Sequence, residues 1–165
     1  MGEAYRILDE PAPGPFARLS VSPFWPLLSS MLAGAWLGWS WFAANALLIG
    51  SASRRREIAW IVGGVAVNVA MGLAIVAADD AGLFTRVSAK FVILLPVFWK
   101  LFVSYWLFNL QVKSFSLYRY FGGRVSNGVL VLLAGFYLRT NLPQALFPAS
   151  GAYSNAQLIA LWTLF

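Results

Sequence analysis

The sequence predicts an all-α protein: a polytopic transmembrane bundle of four spanning helices, with a short apolar C-terminal helix after it. Its 165 residues are 60% hydrophobic and 11% charged, with a mean hydropathy of +0.71. Soluble domains carry roughly 25% charged residues. From Leu19 to Ser53 no Asp, Glu, Lys or Arg interrupts the chain, and Arg54, Arg55 and Arg56 follow at once. A helix crosses a bilayer with about 20 apolar residues, and a basic cluster directly after an apolar run is held on the cytoplasmic side.

Residues 1–22 form a polar N-terminal segment in which Pro11, Pro13 and Pro15 disfavour helix. Glu3, Asp9 and Glu10 precede the apolar region, unlike the start of a signal peptide. The transmembrane domain is expected over 23–142. Its first span lies within 24–50. A straight helix of that whole length would measure roughly 40 Å against a hydrocarbon core of about 30 Å, so it must tilt, project or start after Pro26. The second span runs from Ile58 to Ala78 and ends at Asp79, Asp80 and Gly82. The third runs from Phe91 to Gln111, and the fourth from Gly128 to Leu142, limited by Pro143. Trp25, Trp60, Tyr105, Trp106 and Tyr137 fall near span ends, where aromatic belts form. The tail, 143–165, is uncharged. Ser154 and Gln157 have capping-box spacing, and Leu158–Phe165 is too short to cross; it is expected to lie at the interface or pack on the bundle, with docking on a partner as the alternative.

Four spans place Arg54, Arg55 and Arg56 on the same side as Lys113, Arg119 and Arg124. Arg6, Arg18, Arg86, Lys90 and Arg139 then fall on the other side, and both termini are non-cytoplasmic. The net charge of +6 is distributed beside apolar spans and forms no separate basic domain. The expected partner is therefore the lipid bilayer, with no nucleic acid.

The chain contains no Cys and no His. Disulfides, thiol chemistry, Cys/His zinc sites, iron–sulfur clusters and His-ligated haem are excluded. No metal or cofactor is expected. No phosphate-binding glycine loop is present. Without His, Ser104 would need Lys100, one helical turn away, as its base; that spacing arises commonly by chance, and no catalytic residue is assigned. Adjacent Asp79 and Asp80 read as a solvated helix end.

Two stripes of small residues recur at four-residue intervals, which places each stripe on one helix face. Ser30, Gly34 and Gly38 form the first, and Gly64, Asn68 and Gly72 the second. Such faces let helices approach closely in lipid, either within one chain or between chains. Asn45 and Asn68 are amides inside apolar spans and need hydrogen-bond partners there. Lys100 lies mid-span, four residues after Pro96 and four before Ser104. It either snorkels, pairs structurally, faces a polar pathway lined by Asn45, Asn68 and Ser104, or meets another subunit's carboxylate. Arg54, Arg55, Arg56 and Arg139 read as interface anchors.

Gly34 with Gly38 and Asn45 before a basic loop, then Gln111, Phe115 and Gly122-Gly123 before the last span, resemble a group of small bacterial four-span membrane proteins. A His that the group carries between Gln111 and the double glycine is missing here. The resemblance implies a bacterial inner-membrane setting and carries no activity with it. The expected role is non-catalytic: an accessory or assembly subunit of a larger membrane complex, touching other membrane subunits or forming a homo-oligomer. The alternative is a small oligomeric channel or transporter with a polar pathway around Lys100.

Overall fold

The first apolar stretch does not form one helix. It breaks at Ala33 and Gly34 into α1 (Phe24–Leu32) and α2 (Ala35–Ile49). Gly34 has φ 104° and ψ 164°, a backbone region that is essentially restricted to glycine. The chain therefore reverses there, and the expected single span over 24–50 is corrected to a helical hairpin. The computed structural model describes residues 14–83, 91–92 and 94–146, with side chains as far as 141. The first thirteen residues, the stretch holding Arg86 and Lys90, and the expected C-terminal helix lie outside the described residues.

After the hairpin come α3 (Arg54–Asp80), α4 (Leu94–Tyr120) and α5 (Val129–Leu146). Among the described residues these five helices are accompanied by one 3₁₀ turn, Ala17–Leu19, and by no strand. An isolated parallel bridge joins Val21 to Ser126. Gly50, in the left-handed region at φ 66°, closes α2 by donating to the carbonyls of Ala46 and Leu47, a glycine-terminated helix end. Proline 143 does not stop α5, which continues to Leu146. Lacking an N–H, it leaves the carbonyl of Arg139 without its usual helical donor.

The hairpin sets which chain segments share an end of the bundle. Ser126 donates its N–H to the Ser20 carbonyl at 2.8 Å and its hydroxyl to the Arg18 carbonyl at 2.6 Å. Tyr118 Oη bonds the carbonyls of Ala17 and Arg124. Ala17, Ile49, Phe115 and Tyr118 pack as one buried cluster. Residues 14–22 thus belong to the end that carries Arg54–Arg56, Arg119 and Arg124. The expectation that Arg18 stands across the membrane from those residues is overturned, because the hairpin returns α2 to the end at which residues 14–22 lie. At the opposite end, Arg139 Nη1 donates to the Leu32 carbonyl at 2.6 Å. It satisfies the last turn of α1 and ties α5 to the hairpin tip.

α2 is the centre of the packing. Its buried positions, Ala35, Gly38, Trp39, Phe42, Asn45, Ala46 and Ile49, alternate by three and four residues and meet α1, α3 and α4. Trp39 and Phe42 form one core with Val103 and Leu107 of α4. α3 contributes little bulk to this core. Its buried residues are Glu57, Gly64, Asn68 and Gly72, one narrow small and polar stripe. Around that stripe Val62, Val65, Val67, Val69 and Leu73 face outward.

Gly64 is where α3 comes closest. A Cβ there would sit 3.1 Å from Val103 Cγ1 and 3.2 Å from the Trp39 ring, and its carbonyl accepts from Trp99 Nε1 at 3.0 Å. Gly64→Leu is expected to push α3 off the bundle at a cost of about 1–3 kcal/mol, the usual range for overpacking. Thermal unfolding in detergent checks this; an unchanged midpoint would contradict the close approach.

Candidate functional site

The most polar part of the interior lies at the basic end, where α2 finishes, α3 begins and α4 passes. Glu57, in the first turn of α3, is fully buried. Its carboxylate accepts from Ser51 Oγ at 2.6 Å, Ser53 Oγ at 2.7 Å and Gln111 Nε2 at 2.6 Å. Gln111 also donates to the Phe42 carbonyl at 2.6 Å and accepts from Asn45 Nδ2 at 3.1 Å. Asn45 Oδ1 in turn accepts the Val21 N–H at 3.0 Å. One continuous network therefore joins the N-terminal segment, α2, the loop at Ser51, α3 and α4. Buried polar groups of this kind stabilise a fold only when their partners are present.

Outside the network lies a cleft of about 740 Å³. Its lining mixes polar residues, Arg56, Lys113, Asn109, Ser53 and Ser114, with Trp106, Leu110 and Leu117. Residues 106, 109, 110, 113 and 117 recur at three- and four-residue steps, so one face of α4 supplies most of the lining. The serine hydroxyls are already committed. Ser53 donates to Glu57, and Ser114 Oγ lies 3.0 Å from Ser51 Oγ, whose own proton goes to Glu57. Toward the cleft they offer lone pairs only. The side-chain donors left in the lining are the cations Arg56 and Lys113, the Trp106 indole N–H and the second amide proton of Asn109, whose Nδ2 bonds the Tyr105 carbonyl.

The residues singled out in the sequence are not gathered in one place. Ser30 and Gly38 face each other across the hairpin, with Gly34 at its turn. Gly64, Asn68 and Gly72 are the inner stripe of α3. Ser104 is buried and accepts from Trp39 Nε1 at 2.9 Å. Asn45 and Ser104 are thus engaged at separate levels of the bundle, with Gln111 and with Trp39 respectively. Lys100 is half-buried on α4, with Arg139 as a neighbouring charge. Arg54, Arg55 and Arg56 are exposed at the basic end.

Glu57 escaped the sequence reading because it follows three arginines and looks like their solvated counter-charge. Its register is the signal that would have found it: counting back seven residues from Gly64 along the inner stripe lands on Glu57. Gln111 is the one member of the polar cluster besides Asn45 that the resemblance had brought forward.

No family model, no curated protein and no solved structure matches this chain.

Proposed function

We propose that the chain is a non-catalytic, multi-pass protein of the bacterial inner membrane, serving as an accessory or assembly subunit of a larger membrane complex. The observation that carries this reading is the outward face of α3. It is the one described helix clearly long and apolar enough to cross a membrane, and only 17% of its most apolar stretch is buried. The core helix of a soluble domain would be mostly covered. α4 matches it in length, and Phe98, Phe102 and Tyr105 of α4 and Leu130, Leu133 and Tyr137 of α5 are likewise exposed. Lipid is the medium in which such faces are stable.

Helix lengths favour a count other than four equal spans. At 1.5 Å per residue, α3 and α4 reach roughly 40 Å and α5 roughly 27 Å, whereas α2 reaches about 22 Å. α3, α4 and α5 then cross, and α1–α2 enter and leave from the basic end as a hairpin. Arg18, Arg54, Arg55, Arg56, Lys113, Arg119 and Arg124 gather at that end, which the positive-inside rule makes cytoplasmic. The N-terminal side of the bundle is then cytoplasmic and the end of α5 is not, the reverse of the four-span expectation for the N-terminus.

The subunit role draws its support from how the polar side chains are used. Asn45, Gln111, Glu57 and the serines hydrogen-bond one another and hold helices together, and the hydroxyl–carboxylate contacts of Ser51 and Ser53 with Glu57 belong to that same network. The small-residue contacts at Gly38 and Gly64 are also made within the chain. A partner helix would meet the aromatic ladder on α3 and α4, where Trp60 lies 5.5 Å from Trp106 and Phe102 stacks between Trp99 and Trp106 at 5.8 and 6.3 Å.

Because the chain has no native Cys, single-cysteine labelling tests the topology cleanly. Phe16→Cys and Tyr120→Cys should react only from the cytoplasmic face, and Leu83→Cys only from the periplasmic face. Labelling of positions 16 and 83 from the same face would reject the hairpin topology. Purification from native membranes in mild detergent tests the role: a fixed set of other membrane proteins should copurify. A chain recovered alone from native membranes would reject the subunit reading.

A further inference from the structure

The cleft at the basic end is not used by the scaffold role just described. It combines two cations, Arg56 and Lys113, with Trp106, Leu110 and Leu117 in one lining, a combination that suits a ligand with an anionic head and a hydrocarbon body. We propose that this cleft binds the phosphate group of an anionic phospholipid, with Arg56 and Lys113 on the phosphate and the apolar lining residues of α4 along the acyl chains. The proposal rests on the reading that this end lies at a membrane surface.

Arg56 and Lys113 reach the cleft from different helices, α3 and α4. Both head groups are exposed, and among the described residues neither is held by a carboxylate. A guanidinium can bond phosphate oxygens in pairs, while an ammonium acts as a point charge. Glu57, close beneath the cleft, is fully buried and makes no direct contact with a ligand there. Ser51, Ser53 and Gln111 cap its oxygens, so the attraction for an anion comes from Arg56 and Lys113 and not from the serines. The volume of about 740 Å³ lies within the range of roughly 300–1,000 Å³ typical of small-molecule sites, enough for a head group with the first part of its chains. This differs from general attraction of basic residues to anionic leaflets, which needs no cavity and treats every surface cation alike.

That difference supplies the test. The purified full chain in neutral detergent is titrated with dioctanoyl phosphatidylglycerol, dioctanoyl phosphatidylcholine and inorganic phosphate, with bound species counted by native mass spectrometry. One phosphatidylglycerol should bind saturably, with phosphatidylcholine and inorganic phosphate each at least tenfold weaker. Arg56→Gln with Lys113→Gln should weaken phosphatidylglycerol binding at least tenfold. Arg54→Gln with Arg119→Gln removes the same charge from exposed positions outside the cleft and should change it less than twofold. Arg56→Lys with Lys113→Arg, which keeps both charges, should retain binding, and a native-like thermal midpoint measured for each variant shows that it remains folded. Equal losses in the two glutamine pairs, or no saturable lipid, would overturn the proposal. Inorganic phosphate binding as tightly as the lipid would overturn the lipid assignment. Membrane orientation does not enter a detergent titration, so a failed topology experiment and a failed binding experiment remain separate results.

Discussion

Glu57→Ala is expected to cost about 3 kcal/mol or more of stability, the largest effect of any single polar substitution among the described residues. Hydrogen bonds to a charged group contribute about 1.5–3 kcal/mol each, and donors left buried without acceptors cost a comparable amount. The carboxylate accepts three such bonds. Part of the loss is recoverable, since Ser51 and Ser53 lie 3.0 Å apart and can bond each other, and Gln111 keeps the Phe42 carbonyl. Glu57→Gln tests the same account more finely. Its oxygen can still accept from the serines, but its amide would face the Gln111 amide, donor against donor. Rotating Gln111 to relieve that contact breaks its bonds with Asn45 and Phe42. Glu57→Gln should therefore fall between the native protein and Glu57→Ala. Gln111→Leu should be strongly non-additive with either, since paired residues of one network couple by about 0.5–3 kcal/mol. Thermal unfolding in detergent, followed by circular dichroism, measures all of these. A native midpoint for Glu57→Ala would remove the polar cluster from any structural role.

The helical class was legible because its cause is compositional: long stretches without charge, punctuated by glycine and clustered arginines. The long apolar α3 was visible for the same reason. The reversal at Gly34 was not. Ser30, Gly34 and Gly38 at four-residue steps fit a continuous helix face as well as they fit a hairpin. What separates the two is one backbone dihedral, which has no periodic signature. The side assigned to Arg18 failed with it, because a single reversal exchanges the ends for every segment before it. The cleft was hidden for a different reason. Arg56 and Lys113 are far apart in sequence, and each alone is an ordinary interfacial cation. Only the packing of the start of α3 on α4 brings them into the lining of one cavity.

Gly38→Val is expected to open the hairpin and leave little folded protein. A Cβ at position 38 would stand 2.7 Å from both the Cα and the backbone nitrogen of Ser30. These are main-chain atoms that cannot rotate aside, so α1 must move bodily away from α2. Overpacking typically costs about 1–3 kcal/mol, and a backbone clash carrying two further methyl groups belongs at the top of that range or above it. Displacing α1 also strains the Val21–Asn45 bond, which connects the segment before α1 to the Glu57 cluster. Even Gly38→Ala should lower the thermal midpoint clearly, and Ser30→Gly in the same chain should restore only part of it, because the backbone contacts persist without the serine side chain. Gly63→Ala is the internal control. A Cβ at Gly63 meets nothing within 4 Å, and alanine is favoured over glycine in a helix by up to about 1 kcal/mol, so this variant should be neutral or slightly stabilised. If Gly38→Ala and Gly63→Ala behave alike, α1 and α2 do not pack through this contact, and the reversal at Gly34 loses its main support.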